Sequence, residues 1–396
     1  MKIRRGRWIG LMVVVLLVGS WNILWAEQDT LKVGLLVPVT GKSPDWGKKQ
    51  VIGMEMAVEM INRRGGVNGT PVEVIQYDTG GGPAQAVEAY QKLSQADKVL
   101  VVVGPLFSGT FQGLLPVTNE EKVALVATAS AKPGLSDLKR YPYAFRMTVT
   151  SEKKEGPQAK AWVDANQVKN VAIVYDKKDL FTVGLGKKLW PKIFKGLGVN
   201  VVNLADPITF ETGDTDFASQ VKQLKSLNPD GICISAFPVE TGEIIKEIRN
   251  QGLKQPLLGG SATSTPRVVE IAGDDAEGLW AVSLFYLDDP SPKVQKYAKA
   301  FRKRCQQRYP DMGCDPEQFD VVVYDIFQFL VDIMRKQGIS GASGSLQQER
   351  TKIRDGMANM RPWRGTGGLM GFDKKGDGNR TIHILQVKDG KWQPAY

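Results

Sequence analysis

Short aliphatic and β-branched runs alternate with amphipathic stretches along nearly the whole chain. Leu31–Val37, Val72–Asp78, Val99–Val103 and Val123–Ala127 read as strands, and Gly53–Asn62, Ala84–Ala96 and Thr110–Glu121 between and after them repeat at helical spacing. Strands that alternate with helices are joined by crossovers, which places them side by side in a parallel sheet with helices on both faces. A second round follows. Tyr143–Met147, Asn170–Asp176, Val199–Val202, Gly231–Ala236 and Pro256–Gly259 read as strands, with helices expected at Gly156–Val168, Leu185–Leu197, Asp216–Ser226 and Gly242–Gln251. At 396 residues the chain exceeds one ordinary core, so the two rounds imply two similar α/β lobes. Long helical patterns at Val294–Arg308 and Phe319–Lys336 come late, and Gly371–Asp373 and Thr381–Val387 close the chain as strands.

One stretch carries a candidate site. The run Val99–Val103 breaks at Gly104-Pro105 and delivers Ser108-Gly109-Thr110 to a helix start. A helix start offers unpaired N–H groups and a positive dipole end, which suit an anion such as a carboxylate. Ligands of open α/β sheets bind beyond the carboxyl ends of the strands. An ordinary turn with Ser108 as a helix cap fits the same residues.

The first residues are of another kind. Lys2, Arg4, Arg5 and Arg7 precede an apolar run from Ile9 to Val18, and Leu24-Trp25-Ala26 ends on a small residue. This is the pattern of a secretory signal peptide over 1–26, cleaved after Ala26, and the run is short for a full membrane span. No stable membrane insertion is expected afterwards. The formal charge is +10, and loss of those four basic residues leaves six positive units. No Lys/Arg block with interleaved aromatics occurs, so no nucleic-acid partner is expected. Cys233 sits in an apolar run as a buried thiol. Cys305 and Cys314 flank a turn-rich loop and could pair in an oxidising compartment.

Catalytic and cofactor signals are sparse. The single histidine, His383, lies in an alternating strand, which removes most histidine-dependent and zinc mechanisms. Gly41-Lys42-Ser43 ends like a phosphate-binding loop but lacks its first glycine at Leu36. Asp373–Gly378 resembles a calcium loop with Lys375 at a ligand position, which favours a hairpin turn. No cofactor, metal or enzymatic activity is therefore expected. An exported hydrolase using Ser130 and Lys132 is the weaker alternative.

The ordered motifs resemble the periplasmic leucine/isoleucine/valine-binding protein family, the substrate-binding components of amino-acid ABC importers. The resemblance rests on Leu31–Gly34, Trp46-Gly47, the helix stop Ile61–Gly69, Gly104–Thr110, Pro133–Leu135, Gly156–Ala159, Tyr175–Lys177 and Glu270–Gly278. It implies a type I periplasmic binding protein: two Rossmann-like lobes with parallel-rich sheets, joined by three crossovers. Lobe one would comprise 27–149 plus 281–370 and lobe two 150–280 plus 371–396. The hinge would lie near Met147–Val149, Val282–Leu284 and Gly371. The implied function is a periplasmic solute-binding protein that closes on a small carboxylate and serves an inner-membrane ABC permease. A sensory module reporting to a receptor shares the fold and is the other alternative.

The same resemblance implies ligand contacts at Trp46, Ser108, Gly109, Ser130, Ala131, Phe181, Phe237 and Ser261. Ser261 stands where amino-acid binders of the family hold an acid against the ligand ammonium. Either Glu240 or another acid replaces it, or the ligand is not an α-amino acid. Phe181 and Phe237 lack the hydroxyls of the family's tyrosines, so the pocket would be more apolar. The expected ligand is an apolar or aromatic carboxylate, with a branched-chain amino acid as the competing choice.

Overall fold

A computed structural model describes residues 30–396. The signal-peptide pattern lies outside the described residues. Five strands form a fully parallel sheet in the order Val72–Asp78, Leu31–Val37, Val101–Val103, Ala124–Ala127, Ala144–Arg146. Its central strands are buried on both faces, as their unbroken aliphatic sequence requires. Leu35, Val101, Val103 and Val126 face a core shared with helices Pro44–Arg63 and Gln318–Lys336. Leu36, Val102 and Leu125 face Tyr90, Leu93, Phe111 and Leu114 on helices Pro83–Gln95 and Ser108–Glu121.

The second, eight-stranded sheet builds the other lobe. Its parallel centre runs Trp280–Ser283, Leu257–Gly259, Gly231–Ser235, Asn170–Asp176, and strands His383–Lys388 and Lys391–Pro394 extend it antiparallel at one edge. Ile232 and Ile234 pack under helices Ala218–Leu227 and Pro238–Asn250, whereas Ile173 and Cys233 pack under Trp162, Trp190 and Phe194. A three-stranded sheet, Trp363–Gly365, Gly368–Phe372 and Gly378–Arg380, lies against the first lobe. Its Met370 joins that core and Phe372 packs on Phe145 at 5.1 Å between ring centroids.

The chain passes between lobes three times, after Arg146, Ser283 and Arg380. Two expected boundaries therefore shift. Residues 281–283 complete a strand of the larger sheet, and 371–380 stay with the small sheet on lobe one. Gly371 lies inside a strand, so it is not a crossing point. The crossing segments are tied to each other: Gly378 N donates to Thr148 O at 3.1 Å, and Arg146 pairs with Asp377 at 2.5 Å. A side chain at Gly378 would place its Cβ 2.6 Å from the Met147 carbonyl, so only glycine fits this approach. Cys305 and Cys314 are joined by a disulfide, and Cys233 is buried and free.

Candidate functional site

The strand tips of both lobes face one cleft. In lobe one the turn after Val101–Val103 is fixed by Gly104, whose φ is +103° and on which a Cβ would lie 2.1 Å from Leu36 O. The helix then begins at Ser108, two residues earlier than expected. No side chain caps it, and the amides of Ser108, Gly109 and Thr110 find no backbone acceptor among the described residues. That is a helix start open to an anion. Phe107 and Ser108 line the cleft, joined by Thr128 and Ala129 from the next strand tip and by Trp46 and Phe319 from two helix starts.

Lobe two contributes Lys154, Phe181, Phe237 and Ser261, and the crossings contribute Thr148, Leu284 and Arg380. The aromatic rings meet across the cleft. Trp46 and Phe319 lie 4.3 Å apart between centroids, Trp46 and Phe237 5.7 Å, and Phe107 meets Phe237 edge-on at 5.9 Å. The space left for the centre of a water molecule is about 40 Å3, so the lobes stand close together. At the rim, Lys42 reaches Asp179 of lobe two at 2.5 Å with its ammonium 3.9 Å from the Phe237 ring centre.

The polar side of this cleft is cationic. Lys154 is buried and donates to Ser261 Oγ at 2.6 Å, with Glu155 3.9 Å away. Burial pulls its ammonium below the usual lysine range, Glu155 opposes this, and Arg146 and Arg380 add to it. Glu155 in turn accepts from the Ser261 amide at 3.2 Å, and Gln318 of lobe one donates to Ser261 O at 2.7 Å. Arg380 is 6 % exposed, and its three guanidinium nitrogens have no hydrogen-bond partner among the described residues. Burial lowers its pKa to about 10, against the pull of Asp325. No carboxylate lines the cavity among the described residues.

Of the residues singled out in the sequence, Trp46, Ser108, Phe181, Phe237 and Ser261 line this one cavity. Gly109 lies one residue beyond the lining, on the helix start. Ser130 and Ala131 lie outside it, and Thr128 and Ala129 stand in their place. The reason is the turn's hydrogen bonding. Ser130 O accepts from Arg146 at 3.0 Å and Ala131 O from the Ser151 amide at 2.9 Å, so both residues are drawn away from the opening. The buried Ser130 hydroxyl has no partner, and Lys132 points to Gln112 at 2.9 Å, so no Ser–Lys pair forms. Glu240 is held outside the cavity, where it accepts from the Gly213 amide at 2.9 Å. Asp373 closes a turn by accepting from the amides of Lys375 and Asp377.

Lys154 and Arg380 were not singled out by the sequence reading. The helix carrying Lys154 starts at Ser151, five residues before the expected Gly156, and this places Lys154 in its first turns facing inward.

Comparison with known proteins accords with this architecture. Residues 30–391 match the model of the periplasmic binding protein family. A leucine-, isoleucine-, valine-, threonine- and alanine-binding protein of Pseudomonas aeruginosa is 27% identical over 351 residues, covering 88% of this chain and 87% of the relative. A leucine-binding protein of Thermotoga maritima superposes with a TM-score of 0.78 at 24% identity, over 93% of this chain and 98% of the other. An ABC-transporter solute-binding protein of Rhodopseudomonas palustris, solved with 3,4-dihydroxybenzoic acid, superposes at 0.77 and 22% identity, over 92% and 95%. The match across 30–391 makes this chain a member of the periplasmic binding protein family, in the group that contains the Leu/Ile/Val-binding proteins.

Proposed function

We propose that the protein is the solute-binding component of an ABC importer, exported to the periplasm, and that its lobes close on a small aromatic or apolar carboxylate. The observation that carries this reading is the cleft's charge. Where an amino-acid ligand would bring an ammonium, Lys154 meets Ser261 and no acid among the described residues lines the wall. Burying a second ammonium beside Lys154 without a counter-charge is costly. A carboxylate without an amino group escapes that cost. The rings of Trp46, Phe107, Phe237 and Phe319 give a flat apolar body its contact surface, and the open helix start at Ser108 gives the acid a place. The complex of the Rhodopseudomonas palustris relative with 3,4-dihydroxybenzoic acid supports the ligand class. The three crossings near Thr148, Leu284 and Arg380 suit hinge closure.

Thermal-shift and calorimetric titrations with benzoate, 4-hydroxybenzoate, phenylacetate and leucine test the reading. An aromatic acid at one hundred times its Kd should raise stability by about 2.7 kcal/mol. Tighter binding of leucine than of every acid would overturn it.

A further inference from the structure

We propose that the ligand is an aromatic dicarboxylate and that Arg380 receives its second carboxylate, a statement that rests on the carboxylate reading of the cleft and sharpens it. The cleft contains two anion receivers from different parts of the chain. One is the uncapped helix start at Ser108, on lobe one. The other is Arg380, on the last crossing between lobes.

The acids around Arg380 direct their oxygens to other donors, and Asp325 acts on it only through its charge. Asp377 is paired with Arg146 at 2.5 Å. Glu155 takes the Ser261 amide and faces Lys154. Asp325 accepts from the amides of Thr366 and Gly367, each at 2.7 Å, and forms no ion pair with Arg380 within 4.0 Å. The guanidinium is left with donors and no acceptor. An arginine has five N–H donors in a fixed fork, and burying them unpaired is costly. The fold nevertheless keeps room for it, since a Cβ at Gly367 would lie 2.4 Å from Arg380 Nη2. A bidentate carboxylate matches that fork and supplies the missing acceptors. Lys154 is less available, because Ser261 Oγ already occupies it. One carboxylate can satisfy the helix start or the guanidinium. A ligand with an acid at each end satisfies both, with its ring between the aromatic walls.

The test is calorimetric titration of the mature protein with benzoate, with benzene-1,2-, 1,3- and 1,4-dicarboxylate, and with hexanedioate. The expected result is that at least one aromatic dicarboxylate binds ten-fold or more tighter than benzoate. Arg380→Met should abolish that advantage by weakening the diacid more than benzoate, and Arg380→Lys should restore part of it. The unfolding temperature of each variant reports on folding separately. Equal binding of benzoate and every aromatic diacid overturns the dicarboxylate assignment and leaves the carboxylate reading standing. Equal weakening of monoacid and diacid by Arg380→Met overturns it too, because Arg380 then takes a sole carboxylate. Binding of leucine with no binding of any acid overturns both readings together.

Discussion

Two buried cations in this protein sit in opposite circumstances. Lys49, on the first helix, is paired with the Glu317 carboxylate and donates to Asp315 O at 2.9 Å. Around it, Asp320 accepts from the Glu317 amide at 2.6 Å and from the Tyr297 hydroxyl at 2.7 Å. Burial is the largest influence on Lys49 and pulls its pKa down, yet the charge and hydrogen bond of Glu317 outweigh it and the pKa is raised. Arg380 is just as buried, and although Asp325 acts on its charge, no acceptor meets its guanidinium among the described residues. A charge closed within its own fold marks a joint between elements, here the helices Pro44–Arg63 and Gln318–Lys336. A charge left open in a cleft marks a place for something that arrives from outside.

Four measurements can break or sharpen this contrast. The largest effect is expected for Lys49→Met, which strands Glu317 in the interior and should cost about 3–5 kcal/mol in urea unfolding. Ligand affinity of the folded variant should stay within a few-fold. Arg380→Met should show the reverse pattern, with aromatic dicarboxylate affinity falling ten-fold or more, or at least about 1.4 kcal/mol, and a small stability change. Equal stability losses in the two variants would erase the distinction.

Next comes pH. Burial pushes Asp320 from its ordinary 3.8 up to about 8. Between these values the folded state holds a proton that the unfolded chain has lost, so stability falls as pH rises across that window. The slope approaches about 1.4 kcal/mol per pH unit at most. Asp320→Asn should flatten this part of the stability profile, and an unchanged slope would show that Asp320 is ionised in the folded protein. The smallest effect belongs to Lys42→Ala at the cleft rim. The Lys42–Asp179 pair bridges the lobes but is partly exposed, at 21% and 11% of the two side chains. It should contribute below about 1 kcal/mol, seen as a few-fold faster ligand release in stopped-flow dissociation.

Most of the architecture was legible because it rests on periodicity. The aliphatic runs at Leu31–Val37 and Val99–Val103 have no polar face to offer water, so a doubly covered strand is their stable use. Ser108 followed from the order of elements, a strand that runs into a helix start, whereas Trp46, Phe181, Phe237 and Ser261 came only through the family resemblance. The cationic half was hidden. Lys154 sits in Ser151-Glu152-Lys153-Lys154-Glu155, a run that reads as a solvated face, and the following Gly156-Pro157 looks like a helix start because proline suits the first turn. Pro157 instead lies inside the helix Ser151–Asn166. Arg380 sits in a short strand whose inward side is set by pairing with Gly368–Phe372, a contact that local sequence does not encode. The two-residue error at Ser130 and Ala131 has the same origin, since Arg146, a later strand residue, sets how that turn lies.

The three crossings bear on how the molecule is made. The core of lobe one joins Leu31–Val37 to Val322–Met334 and Met370. A chain that emerges amino-end first cannot close that core until its last helices have appeared. Lobe two waits longer still, for the edge strands His383–Lys388 and Lys391–Pro394. Neither half of the coding sequence holds a complete lobe, and such long-range closure slows folding.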